Sequence, residues 1–167
     1  MSLFHIDAGR EWRGGQRQAL FLARELQKKG TPFYLIVQPD SPLHKKAAGD
    51  GLPVLPLRMK SEMDLVAVLK LAWAMKRRGC VLAHFHDAHA VSVGSWAASL
   101  AKVPIRVISR RVDFAIKSRR KYVKNVDAVI AISEEVRKVL IRGGGPGDAH
   151  RGRALGDRLR SLPGGQG

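Results

Sequence analysis

One cysteine, Cys80, stands in a chain of 167 residues. No internal disulfide can brace the fold, and a reducing compartment suits it. Arg77 and Arg78 would lower the pKa of a thiol beside them, but a small residue ending a helix is the simpler reading of Cys80. Aromatic residues are scarce, at 6%, and do not interleave with the basic ones, as a surface that stacks single-stranded bases requires. Zinc-finger, RNA-recognition and helix-turn-helix signatures are also missing, so no specific nucleic-acid partner is expected. No window approaches the roughly eighteen uninterrupted apolar residues of a membrane span. The start, Met1 to Asp7, has no basic run and meets an acid at once, so no signal peptide is expected and the cytoplasm is the expected location. Acids are in short supply: 14 Asp and Glu face 30 Lys and Arg, for a net charge of +16. Such a field attracts phosphorylated sugars, anionic lipid headgroups and polyanions, and says nothing about fold.

What is present is a regular alternation of short apolar runs and helical patterns. Leu3, Phe4 and Ile6 make a first strand, and Ala19, Leu22, Ala23 and Leu26 repeat at helical spacing up to a stop at Gly30. Phe33 to Val37 is a second strand, Leu43 to Gly49 a helical turn. Leu52 to Leu57 is a third strand, interrupted by proline and so placed at a sheet edge. Met63, Val66, Ala67, Leu69 and Ala74 support a helix ended by Gly79. Val81 to Phe85 is the fourth strand. A small-residue helix runs from Ala90 to Ala101, with Gly94, Ser95, Ala97 and Ala98 allowing close packing on the sheet. Ile105 to Ile108 and Val126 to Ile132 are the fifth and sixth strands, separated by a basic helix from Ala115 to Lys124. Ser133 caps a last helix through Ile141. The pattern predicts an α/β fold, a Rossmann-like three-layer sandwich with a mostly parallel sheet of about six strands. Ligands of such sheets bind outside the carboxyl ends of the strands.

Trp12-Arg13-Gly14-Gly15-Gln16-Arg17 joins the first strand to the first helix at that edge. Paired glycines let backbone approach a ligand closely, and the helix start offers free N–H groups and the positive end of its dipole. The segment lacks both the dinucleotide G-x-G-x-x-G spacing and the P-loop ending, so a plain turn is the competing reading.

His84-Phe85-His86-Asp87-Ala88-His89 is the densest polar cluster. As a metal box it misses the H-x-H-x-D-H pattern by one place, and the only later histidine is His150; no metal is expected. One packed and several solvated histidines is the bland alternative. The other is ligand contact, with His86 and Asp87 emerging at the carboxyl edge. Downstream, Arg106, Arg110, Arg111, Lys117, Arg119, Arg120, Lys121 and Lys124 face only Asp113 in acid. A solvated helix face explains them; so does an anion-facing surface, with Arg110 and Arg111 on phosphate and Lys117, Arg119, Arg120, Lys121 and Lys124 toward a membrane.

Composition changes at Gly143. Nine glycines and four arginines fall in the last twenty-five residues, with no lysine and no apolar period. A natural flexible tail and an out-of-frame translation both give this composition; the second is preferred. The chain is therefore divided into a domain over 1–142 and a tail over 143–167.

Four segments in order resemble the amino-terminal domain of the family 4 glycosyltransferases, retaining enzymes with two Rossmann-like domains. They are Gly14-Gly15-Gln16-Arg17 before the helix ending Glu25-Leu26-Gln27-Lys28-Lys29-Gly30; Leu82-Ala83-His84-Phe85-His86-Asp87; Val103-Pro104-Ile105-Arg106-Val107-Ile108-Ser109; and Asp127-Ala128-Val129-Ile130-Ala131-Ile132-Ser133-Glu134. The resemblance implies that the glycine-pair loop lies at an interdomain cleft near acceptor and donor phosphates, and that His86 faces the transferred sugar as the catalytic residue. Gly14, Gly15, Gln16, Arg17, Asp87, His89, Arg110 and Arg111 are the implied substrate contacts. The implied donor is a nucleotide-diphosphate sugar, with no further cofactor, and the acceptor a sugar or glycolipid of cell-envelope or lipopolysaccharide type. The family's second domain, which holds most of the donor, has no counterpart before the tail. The expectation is an acceptor-side half, inactive unless a separate donor-binding chain completes it. The alternative is a non-catalytic basic module that binds anionic membrane or polyanion, peripheral at the inner face of the membrane.

Overall fold

A computed structural model of the chain describes residues 1–110 and 126–131. The expected helices over 115–124 and 133–141, the tail, and the calls on Arg111, Lys117, Arg119, Arg120, Lys121 and Lys124 lie outside the described residues.

The described elements alternate as the apolar runs require. They are β1 (Ser2–Asp7), α1 (Gly14–Lys28), β2 (Phe33–Val37), α2 (Pro42–Gly49), β3 (Val54–Pro56), α3 (Leu65–Arg77), β4 (Cys80–Phe85), α4 (Ala88–Leu100), β5 (Ile105–Arg110) and β6 (Ala128–Ala131). The six strands form one parallel sheet in the order β3-β2-β1-β4-β5-β6. The crossover from β3 at one edge to β4 beside β1 puts helices on both faces. On one face Phe4, Ile6, Ala83, Phe85 and Ile108 pack against Leu71 and Met75 of α3 and Val91, Ala97 and Ala98 of α4. On the other, Phe33, Leu35 and Val37 pack against Ala19, Leu20 and Ala23 of α1 and Leu43 and Ala47 of α2. This is the three-layer α/β sandwich read from the pattern.

Proline shortens the third strand to three residues at the sheet edge, where its missing N–H breaks no interior ladder. The small residues of α4 do what was expected of them. A Cβ on Gly94 would collide with the Phe85 ring, so glycine there sets how closely α4 lies on β4.

The helix expected around Met63, Val66, Ala67, Leu69 and Ala74 is α3, although Met63 itself precedes the Asp64 cap; Val66 and Leu69 lie on its exposed side. Ala67, Val68, Leu71, Ala72 and Met75 are the buried set. Cys80 begins β4 rather than ending a helix; it is buried, and burial pushes its thiol up to about 12.

Candidate functional site

The site grows from the register of β1 and β4. His5 and His84 are paired across these strands, so their side chains stand on the same face, and His86, two residues on, joins them. The result is a buried group of three imidazoles with ring centroids 5.2 Å (His5–His84), 5.5 Å (His5–His86) and 4.2 Å (His84–His86) apart. His5 Nδ1 and His86 Nε2 share a hydrogen bond of 3.2 Å, and His84 Nε2 shares one of 2.7 Å with Ser109 Oγ. Nε2 of His5 is buried without a partner. Burial first, and the neighbouring His84 second, hold the His5 pKa down to about 3, so this ring is neutral at physiological pH. One nitrogen from each imidazole lies within 4.8 Å of the others, a spacing that can hold a metal ion. The set differs from the box read in sequence: His5 takes part, whereas Asp87 and His89 do not. His5 was missed because a single histidine inside an apolar strand carries no motif; only the register reveals it.

At the carboxyl edge above these rings, two carboxylates fix the β1–α1 connection. Asp7 is fully buried and accepts from the Gly9 N–H (2.8 Å) and from Gln16 Nε2, which lies 2.9 Å from Oδ1 and 3.2 Å from Oδ2. Gln16 Oε1 in turn accepts from the Arg13 N–H. A Cβ on Gly9 would run into the Gln16 amide, so this close pairing requires glycine at position 9, a requirement the sequence reading did not see. On the other side Asp87 accepts from the Ala8 N–H at 2.6 Å through one oxygen. Through the second it caps α4, accepting from the His89 and Ala90 N–H groups, each at 2.9 Å.

The predicted contacts therefore divide. Gln16 and Asp87 spend their polar atoms holding the loop, as positioning residues. His86 is 4% exposed and packed among imidazoles, and its backbone N–H donates to the Ile6 carbonyl at 2.9 Å. His89 is half-buried in the first turn of α4, with Nε2 buried and unpartnered. Arg17 is exposed on α1, and Arg110 ends β5.

Gly14 and Gly15 are the first two residues of α1. Arg13 before them has a guanidinium, which donates only, so its side chain cannot cap the open N–H groups as a serine or aspartate would. No acid lies in the first turn. A Cβ built on Gly14 meets nothing within 4 Å. Packing does not require this glycine; its effect is to leave space over a positive helix end.

The sequence profile of glycosyltransferase family 4 matches residues 12–150. The chain belongs to that family. The family 4 chain also superposes on solved glycosyltransferases. HepE of Anabaena, determined with UDP and glucose, matches with a TM-score of 0.70 at 16% identity, over 87% of this chain and 42% of that one. MurG of Acinetobacter baumannii matches with a TM-score of 0.62 at 16% identity, over 78% of this chain and 40% of that one. WaaB, a lipopolysaccharide outer core galactosyltransferase, gives 0.62 at 11% identity, over 87% and 43%. At such identities the likeness is one of fold. The chain spans about two fifths of the length of these structures. No curated protein matches the sequence significantly.

Proposed function

We propose that this family 4 chain is the acceptor-side half of a nucleotide-sugar-dependent glycosyltransferase, with residues 1–142 as its amino-terminal domain and 143–167 as a tail. The observation that carries the reading is the first turn of α1, where Gly14 leaves open space that no packing demands over uncapped N–H groups. A hydroxyl-rich or phosphorylated ligand suits such a place. His86 then faces the transferred sugar, oriented by His5 behind it, while Gly15, Arg17 and His89 line the approach. The donor, a nucleotide-diphosphate sugar such as the UDP-glucose of the HepE structure, is held mostly by a second domain, supplied in the same or another chain. The MurG and WaaB likenesses favour an acceptor of cell-envelope type. Titration of the chain with a panel of sugar acceptors and donors, wild type against Gly15→Val, tests the reading. It fails if Gly15→Val lowers folding stability and ligand binding in step, or if no saccharide binds.

A second reading, a basic module docking on an anionic membrane face, has one observation in its favour. The helices α3 and α4 expose Leu65, Leu69, Trp73, Trp96 and Leu100, and neither helix contains an acid. Tryptophan beside Lys and Arg is the composition of an interfacial contact. No helix among the described residues is long and apolar enough to cross a membrane. Binding lost entirely by about 0.5 M salt, where charges are screened within a few ångströms, would favour this module over a sugar site.

A further inference from the structure

A second concavity opens at the carboxyl edge, over β2 and β3. It measures about 460 Å³, and its walls include Arg10, Gln38, Asp40, Ser41, Arg58 and Lys60. That volume lies within the range of about 300–1,000 Å³ usual for small-molecule sites. Three connections contribute: Arg10 follows β1, Gln38 to Ser41 follow β2, and Arg58 and Lys60 follow β3.

The basic residues are not on a loose loop. Gln38 is buried, and its side-chain amide makes two hydrogen bonds with the backbone of Met59. Nε2 donates to the Met59 carbonyl at 2.6 Å, and Oε1 accepts from the Met59 N–H at 3.1 Å. Met59 is itself fully buried. The clamp therefore fixes the residue between Arg58 and Lys60 and presents both cations, which are exposed, to the cavity. The Lys60 N–H donates to Asp64 Oδ2 at 2.9 Å, and Oδ1 of the same carboxylate caps α3 at Ala67. The opposite wall is also specially built. Asp40 holds a left-handed φ of 59°, unusual for a residue with a side chain. Its N–H donates to His44 Nδ1, and Ser41 caps α2 by accepting from the His44 N–H. The positive end of α2 is thereby turned to the same cavity, with no acid in its first turn.

Three cations against one carboxylate give this lining a net charge of +2. Like charges gathered in one concavity repel unless an anion occupies it. A phosphomonoester, at about −1.5 to −2 near neutral pH, matches the balance, and arginine forks suit its oxygens. We propose that the cleft of Arg10, Arg58 and Lys60 is a phosphomonoester subsite, which makes the acceptor a phosphorylated one. This rests on the acceptor-side reading and narrows it: sugar hydroxyls lie toward α1, the phosphate over β2 and β3.

A phosphomonoester arrives either on a free sugar phosphate or on a lipid headgroup, so two probes are used on the 167-residue chain. Glucose 6-phosphate is titrated against glucose, and phosphatidic acid vesicles against phosphatidylcholine vesicles, with backbone amide shifts and affinity as readouts. Either phosphate probe should shift the Asp40, Ser41 and Lys60 amides, while glucose and phosphatidylcholine leave them in place. Arg58→Gln with Lys60→Gln should weaken that binding about tenfold or more, with unfolding unchanged because both side chains are exposed. Response to glucose 6-phosphate marks a soluble acceptor; response to phosphatidic acid alone, still sensitive to the double variant, marks a headgroup. Failure of both probes to shift these amides, or binding indifferent to the double variant, overturns the subsite. Phosphate in this cleft together with saccharide binding that ignores Gly15→Val would refute the acceptor-side reading and leave the subsite standing.

Discussion

The side-chain amide of Gln16 lies 2.9 Å from Oδ1 of Asp7, closing the β1–α1 connection across a fully buried carboxylate. Gln16→Leu keeps the bulk and removes the donor. Asp7 retains the Gly9 N–H, so the expected loss is about 1–3 kcal/mol, the cost of under-satisfying a buried acceptor. Urea unfolding of the variant measures it; a loss within error of zero would mean that the pair does not hold the loop. Gly9→Ala should cost at least as much, since its Cβ displaces the same amide.

Acidification should destabilise the fold before the carboxylates begin to titrate. The His5 pKa is held down to about 3 by burial, while an unfolded histidine titrates near 6.5. Below that value the unfolded chain takes up a proton that the folded chain refuses, so stability is full above about pH 6.5 and falls as the pH drops toward 3. Between pH 7 and 5 the expected loss from this group is about 2 kcal/mol. His5→Phe should flatten the curve over that interval. An unaltered pH slope in the variant would show that the ring titrates normally.

Gly14→Ala should be neutral or slightly stabilising, because the new methyl meets nothing and alanine is the better helix former by up to about 1 kcal/mol. Binding of sugar or phosphate over the α1 start should weaken in the same variant. Unchanged affinity would return the glycine pair to the status of a turn.

Turnover should need the donor side. The chain alone is expected to transfer no sugar, since an unheld donor forgoes the roughly 7–11 kcal/mol that positioning can supply. With a family 4 donor domain supplied in frame or as a separate chain, transfer should appear, and His86→Ala should lower kcat/KM by roughly a hundredfold. Turnover by the purified 167-residue chain would sink the half-enzyme claim.

The imidazole group should not carry a stoichiometric metal. His5 Nδ1 and His86 Nε2 already satisfy one another, and His84 Nε2 is committed to Ser109. Elemental analysis of protein purified without chelator should find far less than one zinc or other transition metal per chain.

Much of this fold was legible because parallel strands buried on both faces read as continuous apolar runs. Pro53 and Pro56 placed the third strand at an edge, and the small residues of α4 announced its close contact with the sheet. What the sequence hid follows from geometry. The helix α3 carries Leu65, Val66, Val68, Leu69, Leu71, Trp73 and Met75, apolar nearly all round, so no periodicity selects the buried side. The position of His86 at the strand end was readable from alternation. Its partnership with His5 was not, because residues 81 apart meet only through strand order and register. Gln16 was singled out beside the glycine pair and Asp87 at the end of β4; the hydrogen bonds by which both hold the β1–α1 connection could not be read from the sequence, because they join residues brought together by the sheet.

The placement of Cys80 has a practical consequence. It is the sole sulfhydryl in the chain, it is buried at the start of β4 beside β1, and burial holds its pKa up to about 12. Alkylating reagents attack the thiolate, which the folded chain withholds twice over, by access and by ionisation. Labelling of the wild-type chain therefore clocks the opening of the central strands, without an engineered probe. The modified fraction over time, measured by mass, separates fraying at the sheet edges from excursions that expose the middle of the sheet.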